Sequence, residues 1–196
     1  MTMVVPIETK VFAIGLPKTG TVSLAQALTD LGLRTIHNPW AFYKQILEEA
    51  DFLWCPDQWD ALVHFGTRYY SQLDLQYPNS LFILNTRSRE TWLDSCERWW
   101  QERAEAGLNQ DPDTFLSNMS TFGTRRFHRG QFGDVFDRHH QAVLNYFEGH
   151  RANRLLLLSL DETEKERSLC RFLNRDLPHS DYVYPLKNAN PQKENL

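Results

Sequence analysis

A short stretch of the chain, AIGLPKTGTVSLAQAL (Ala13 to Leu28), gathers Gly15, Lys18, Thr19, Gly20, Thr21 and Ser23 between an apolar run and a helical pattern. Backbone N–H groups at a helix start lack intrahelical acceptors and carry a partial positive charge, so such a junction is a ready anion site. Gly15 and Gly20 permit a turn and a close approach of backbone to ligand. Lys18 adds a mobile full charge, and Thr19, Thr21 and Ser23 add hydroxyl donors. A plain strand-to-helix turn, capped by Thr21 or Ser23, accounts for the glycines and hydroxyls. It leaves the lysine unexplained.

The common ATP loop, G-x-x-x-x-G-K-[ST], places its lysine directly after the second glycine. Here Thr21 holds that place, and Lys18 lies before Gly20. The run LFILNT (Leu81 to Thr86) is followed by Arg87, not by the acidic residue that would hold Mg²⁺. A guanidinium fork such as that of Arg87 can grip a phosphate bidentately. The plainer role for Arg87 is an ion pair with Glu90 or Asp94.

For proton transfer, His64 in DALVHFGT and His37 in RTIHNP both stand at the carboxyl ends of expected strands. An imidazole with a pKa of about 6.5 suits a general base. A structural hydrogen bond is the alternative for either. His139 and His140, mid-helix in FDRHHQAV, lack metal-ligand spacing and read as packing and surface residues. No metal site is expected.

These residues need elements to position them. Apolar runs at Lys10–Gly15, Ala61–Phe65, Leu81–Thr86 and Arg154–Leu160, with a weaker one at Arg34–His37, read as strands buried on both faces. Helical patterns lie between them, at Val22–Leu31, Pro39–Ala50, Arg68–Leu75, Arg89–Ala104, Val135–Phe147 and Glu162–Leu173. Asp161 and Glu164 look like a capping box for the last. Strands alternating with helices predict an α/β fold of three layers, a central parallel sheet of about five strands with helices on both faces. Ligands in such sheets bind beyond the carboxyl ends of the strands, which is where the loop falls. The chain reads as one domain over residues 1–196, with a partly helical insertion around 101–133.

The 196 residues are 41% hydrophobic and 23% charged, with a net charge of -4 and a pI near 6.0. This balance argues against a nucleic-acid partner held by bulk charge. Cys55, Cys96 and Cys170 form no C-x-x-C pair and suit free thiols in a reducing compartment. With no signal-peptide pattern and no membrane-spanning run, a cytoplasmic protein is expected. Trp99 and Trp100 either border a cleft or pack helix on sheet, and Trp40 follows Pro39 just beyond the weaker strand. The basic patch TRRFHRG, within the insertion, either recognises an acidic partner or is solvated surface.

GLPKTGTVSL resembles the 5′-phosphosulfate loop, approximately P-[KR]-[ST]-G-[ST]-[ST], of sulfotransferases that use 3′-phosphoadenosine 5′-phosphosulfate (PAPS). LFILNTRSRETWLDSC resembles their 3′-phosphate region, in which a strand ends in Arg and Ser follows at the spacing of Arg87 and Ser95. SLCRFLNRDLPHSDYVYPLKNANP is similar to their closing segment, a helix and a loop returning to the nucleotide. The similarity spans nearly the whole chain in order and implies a P-loop NTPase-like fold.

The resemblance implies transfer of a sulfuryl group from PAPS to a hydroxyl or amine of a small molecule or glycan, without metal. It assigns donor binding to Lys18, Thr19, Gly20, Thr21, Val22, Ser23, Arg87, Ser95 and Lys187. Catalysis falls on Lys18, against the oxygen bridging sulfur and phosphorus, and on His64 as base, with His37 the runner-up. Two departures stand out. Val22 replaces a common Thr or Ser, and Ser88-Arg89 replaces Asp-Pro or Asn-Pro, making Arg89 a second candidate for the 3′-phosphate. An ATP-dependent phosphotransferase and a non-catalytic nucleotide-binding module are the alternatives.

Overall fold

The near-continuous apolar runs become short strands covered on both faces. The computed structural model describes residues 9–39, 45, 53, 55–64, 67–107, 118–124 and 126–187. Its strands are β1 (Val11–Ala13), β2 (Thr35–His37), β3 (Ala61–Val63), β4 (Leu81–Thr86) and β5 (Leu155–Ser159). They form one sheet in the order β2-β3-β1-β4-β5, every pairing parallel. The three-layer α/β expectation holds. β1 is central, flanked by β3 and β4, so the chain leaves its carboxyl end where the strand order divides, the usual crevice for a ligand.

Five α-helices carry described bounds: α1 (Thr21–Asp30), α2 (Tyr70–Gln76), α3 (Arg89–Glu105), α4 (Arg129–Tyr146) and α5 (Lys165–Leu173), with a 3₁₀ turn at Gly149–Arg154. Successive strand side chains alternate between faces. Val11 and Ala13 therefore pack with Leu24 and Leu28 of α1 and Leu169 and Leu173 of α5. Phe12 turns the other way, with Ile14 just beyond β1, and both pack with Leu73 of α2 and Val143 of α4. A third cluster, built on Trp92, Trp100, Phe132 and Phe136, locks α3 to α4 and reaches Leu16 beside the loop.

Several expectations need correction. Asp161 and Glu164 form no capping box: Glu164 is itself the left-handed residue before α5, and the Asp161 carboxylate accepts the Ser88 N–H at 2.8 Å across the molecule. α4 begins at Arg129, six residues before Val135, and the Arg89 guanidinium occupies the space that a side chain at Gly133 would fill. Within the region read as a partly helical insertion, residues 101–105 continue α3 and residues 118–122 are helical, and residues 108–117 lie outside the described ones. The helix expected over Pro39–Ala50 and the reading of Trp40 fall largely outside the described residues.

Candidate functional site

The loop between β1 and α1 is held by one residue that the sequence reading passed over. Asn85, buried near the end of β4, accepts the Gly15 N–H through Oδ1 at 3.1 Å and donates through Nδ2 to the Thr19 hydroxyl at 2.6 Å. Thr19 in turn donates to the Leu16 carbonyl at 2.6 Å. A Cβ at Gly15 would overlap the Asn85 carbonyl oxygen, so glycine is required for this close approach. Lys18 (φ 69°) and Gly20 (φ 85°) both take left-handed backbone, which a lysine adopts only at a cost of about 1–2 kcal/mol. The signal for Asn85 was present as the single amide in an apolar strand.

The hydroxyls are less available than expected. Thr19 is fully buried and committed to Leu16 and Asn85. Thr21 Oγ1 lies 3.0 Å from His37 Nε2. Ser23, 2% exposed, accepts the Lys187 N–H at 2.9 Å, so the closing segment does return to the loop, tied there by its main chain. What remains free is backbone. α1 has no side-chain cap and no acidic residue in its first turn. The N–H groups from Lys18 to Ser23 find no acceptor among the described residues, where Leu24 is the first to bond, to Gly20. A helix mouth left open in this way favours an anion.

Two cations belong to the elements around this mouth, Lys18 in the loop itself and Arg87 just after β4. The Lys18 ammonium is half-buried, 5.9 Å from the centre of the Trp99 ring, and has no carboxylate within ion-pair distance among the described residues. Burial holds its pKa below the ordinary lysine value; Glu102 opposes that, while Arg87 and Arg98 reinforce it. Burial pushes the Cys96 thiol up to about 12, and the charges of Lys18 and Arg87 oppose that rise. Ser95 is the next residue along α3 and is half-buried.

Arg87 donates to Thr91 at 3.1 Å and has no carboxylate partner among the described residues. The ion pair considered for it does not form. Glu90 and Asp94 are both taken by Arg129, at 2.8 and 2.9 Å, which also reaches Glu97. Arg89 points elsewhere, paired with Asp137 and Glu90. The charge of Arg129 in the basic patch is thereby neutralised on α3. Trp100 is 6% exposed and belongs to the core, whereas Trp99 stacks beside Lys18 and Arg103.

His37 and His64 end adjacent strands with their rings 6.0 Å apart. His64 has left-handed backbone (φ 59°), and burial together with the charge of His37 pushes its pKa down to about 4. His37 is lowered as well, by burial, and its bond to Thr21 joins the pair to the loop. His139 Nε2–H donates to the Ile14 carbonyl at 2.9 Å, and its pKa too is pushed down to about 4 by burial. His140 bridges the Phe136 carbonyl and the Thr86 hydroxyl. Among the described residues no three His, Cys, Asp or Glu side chains converge as metal ligands.

These depressed values set a pH dependence of stability. Unfolded, the imidazoles return to about 6.5, so between pH 6.5 and about 4 the unfolded chain binds protons that the folded one refuses. Stability is full above pH 6.5 and falls as the pH drops through that window, by up to about 1.4 kcal/mol per pH unit for each group. Urea unfolding at pH 7 and pH 5 measures the loss. His139→Gln, which keeps a donor and cannot protonate, is expected to lessen the slope.

An all-parallel sheet with helices around it and an uncapped helix mouth after its central strand define an α/β protein of P-loop-like architecture. Residues 10–192 match the sequence model of the sulfotransferase domain family, and the chain belongs to that family. No curated protein gives a significant match. No helix among the described residues is long and apolar enough to cross a membrane.

Proposed function

We propose that the protein transfers a sulfuryl group from PAPS to a hydroxyl or amine of a small molecule or glycan, without a metal ion. The observation that carries this reading is the loop itself: among the described residues the main-chain donors from Lys18 to Ser23 find no acceptor, and neither Lys18 nor Arg87 has a carboxylate partner. Lys18, Thr19, Gly20, Thr21, Val22 and Ser23 hold the 5′ end through their backbone. Arg87 and Ser95 take the 3′-phosphate, and Lys187 closes the loop through its main chain.

When bound, PAPS supplies a sulfuryl group whose S–O bond breaks as the acceptor oxygen attaches, the electron pair leaving on a phosphate oxygen of adenosine 3′,5′-bisphosphate. Lys18 neutralises the charge growing on that oxygen; its half-buried position strengthens the effect relative to water. His64, neutral at pH 7, accepts the acceptor's proton. A base with a pKa of about 4 is weak, but the negative charge of a bound donor favours the imidazolium and raises it towards the working pH. The three cysteines are buried free thiols, in keeping with a reducing, cytoplasmic setting.

Calorimetric titration tests the reading. Adenosine 3′,5′-bisphosphate is expected to bind with micromolar affinity in the presence of a chelator, and ATP with magnesium not to bind. Arg87→Ala should weaken the bisphosphate by about 10- to 100-fold, the scale of a charged hydrogen bond. Magnesium-dependent ATP binding, or an unchanged affinity in Arg87→Ala, would overturn the assignment.

A further inference from the structure

A cavity of about 500 Å³ opens between α2, α4 and residues 118–124. Its volume is that of a small-molecule site. Leu16, Tyr70 and Gln131 form part of its wall, with His139 and two arginines, Arg68 and Arg138; among the described residues no acidic side chain lines it.

The two guanidinium groups are the unusual feature. Arg68 donates to the Ser120 carbonyl and Arg138 to the Asp134 carbonyl, both neutral acceptors. Neither has a carboxylate within ion-pair distance among the described residues, although the chain carries a net charge of -4. Arg87 also lacks a carboxylate partner among the described residues, but several other arginines are paired. Arg89 and Arg129 are paired with acids on α3 and α4, and Arg151 and Arg154 with Asp74. Two uncompensated forks on one cavity are a recognition device for a carboxylate, which a guanidinium binds bidentately. A second arginine-bearing cavity, near the end of α5, lacks this character, because Asp176 lines it and Arg167 is paired with Glu164.

The position of the cavity connects it to transfer. Leu16 lies in its wall and precedes Lys18 by two residues, a main-chain span of at most about 7 Å. Arg68 follows His64 by four residues on the same β3–α2 connection. Leu16 thus ties the cavity to the loop that carries Lys18, and Arg68 ties it to the connection that begins at His64.

We infer that this cavity seats the acceptor, and that the acceptor is a hydroxylated carboxylate whose acid group is held by Arg68 and Arg138. The inference rests on the sulfotransferase reading above. It predicts a preference set by charge. Two matched pairs test it, each assayed with PAPS: 3-(4-hydroxyphenyl)propionate and a glucuronate disaccharide, each beside its methyl ester. At least one acid should exceed its ester by tenfold or more in kcat/KM, chiefly through KM. In Arg68→Gln and Arg138→Gln the acid-to-ester ratio should fall towards one, with the affinity for adenosine 3′,5′-bisphosphate unchanged.

Transfer to the esters at equal or greater rate, no turnover of either acid, or a ratio that survives both substitutions would overturn the inference. Bisphosphate titration of the same preparations separates the two failures. If the bisphosphate does not bind, the proposed function itself falls. If it binds and the charge preference is missing, only the acceptor assignment is lost.

Discussion

Lys18→Gly is expected to abolish sulfuryl transfer, by about 10³-fold or more, while leaving the protein at least as stable as Lys18→Ala, and more so by about 1 kcal/mol. The loss of rate follows from removing the one mobile charge at the loop, on the scale of deleting a preorganised donor to developing negative charge. The stability difference follows from backbone conformation. Lys18 sits at φ 69°, which any Cβ-bearing residue adopts at a cost and glycine adopts freely. Glycine also loosens the unfolded chain, which offsets part of the gain. The lysine's half-buried charge is removed in both variants and cancels in the comparison. Thermal unfolding of the two variants beside a transfer assay measures both effects. Transfer retained within tenfold in either variant would remove Lys18 from the mechanism.

Gly15→Ala is the second large effect, and it acts through shape alone. Its Cβ would overlap the carbonyl oxygen of Asn85, and the Asn85 side chain lies nearly as close. Backbone in the middle of a sheet cannot swing aside as a lysine tip can. The expected cost is about 3 kcal/mol, the upper end of ordinary overpacking. Moving Asn85 also breaks its bonds to Gly15 and Thr19, so the loop loses its anchor. Bisphosphate affinity should fall by about 100-fold even at temperatures where the variant remains folded. Urea unfolding and calorimetry together distinguish this from simple instability. A variant that is folded and binds normally would show that the loop tolerates displacement from β4.

The sheet and the loop were legible in the sequence because each depends on local pattern. Buried parallel strands need unbroken apolar runs, and LFILNT became β4 with the expected bounds. The glycines and the misplaced lysine are read from spacing alone. What was hidden depends on pairing between distant segments. Glu90 and Asp94 were plausible partners for Arg87 until α4 brought Arg129 to them, 39 residues beyond Glu90. Arg89 is drawn off by Asp137, from the same helix. The hydroxyls of Thr19, Thr21 and Ser23 looked available because nothing local consumes them; their partners are Asn85, His37 and Lys187. Asp161 failed as a cap for a similar reason, since its carboxylate is used by Ser88. Local chemistry showed where an anion could sit, and long-range pairing decided which donors are left to hold it.

The bond between Ser23 and Lys187 joins residues 164 positions apart. A ribosome adding about 5–20 residues per second needs roughly ten to thirty seconds to cover that interval. Throughout it the proposed nucleotide pocket lacks its last stitch. Ribosome-bound chains halted before residue 187 should therefore hold the bisphosphate more weakly than released protein, which makes ligand capture a late event in the life of each molecule.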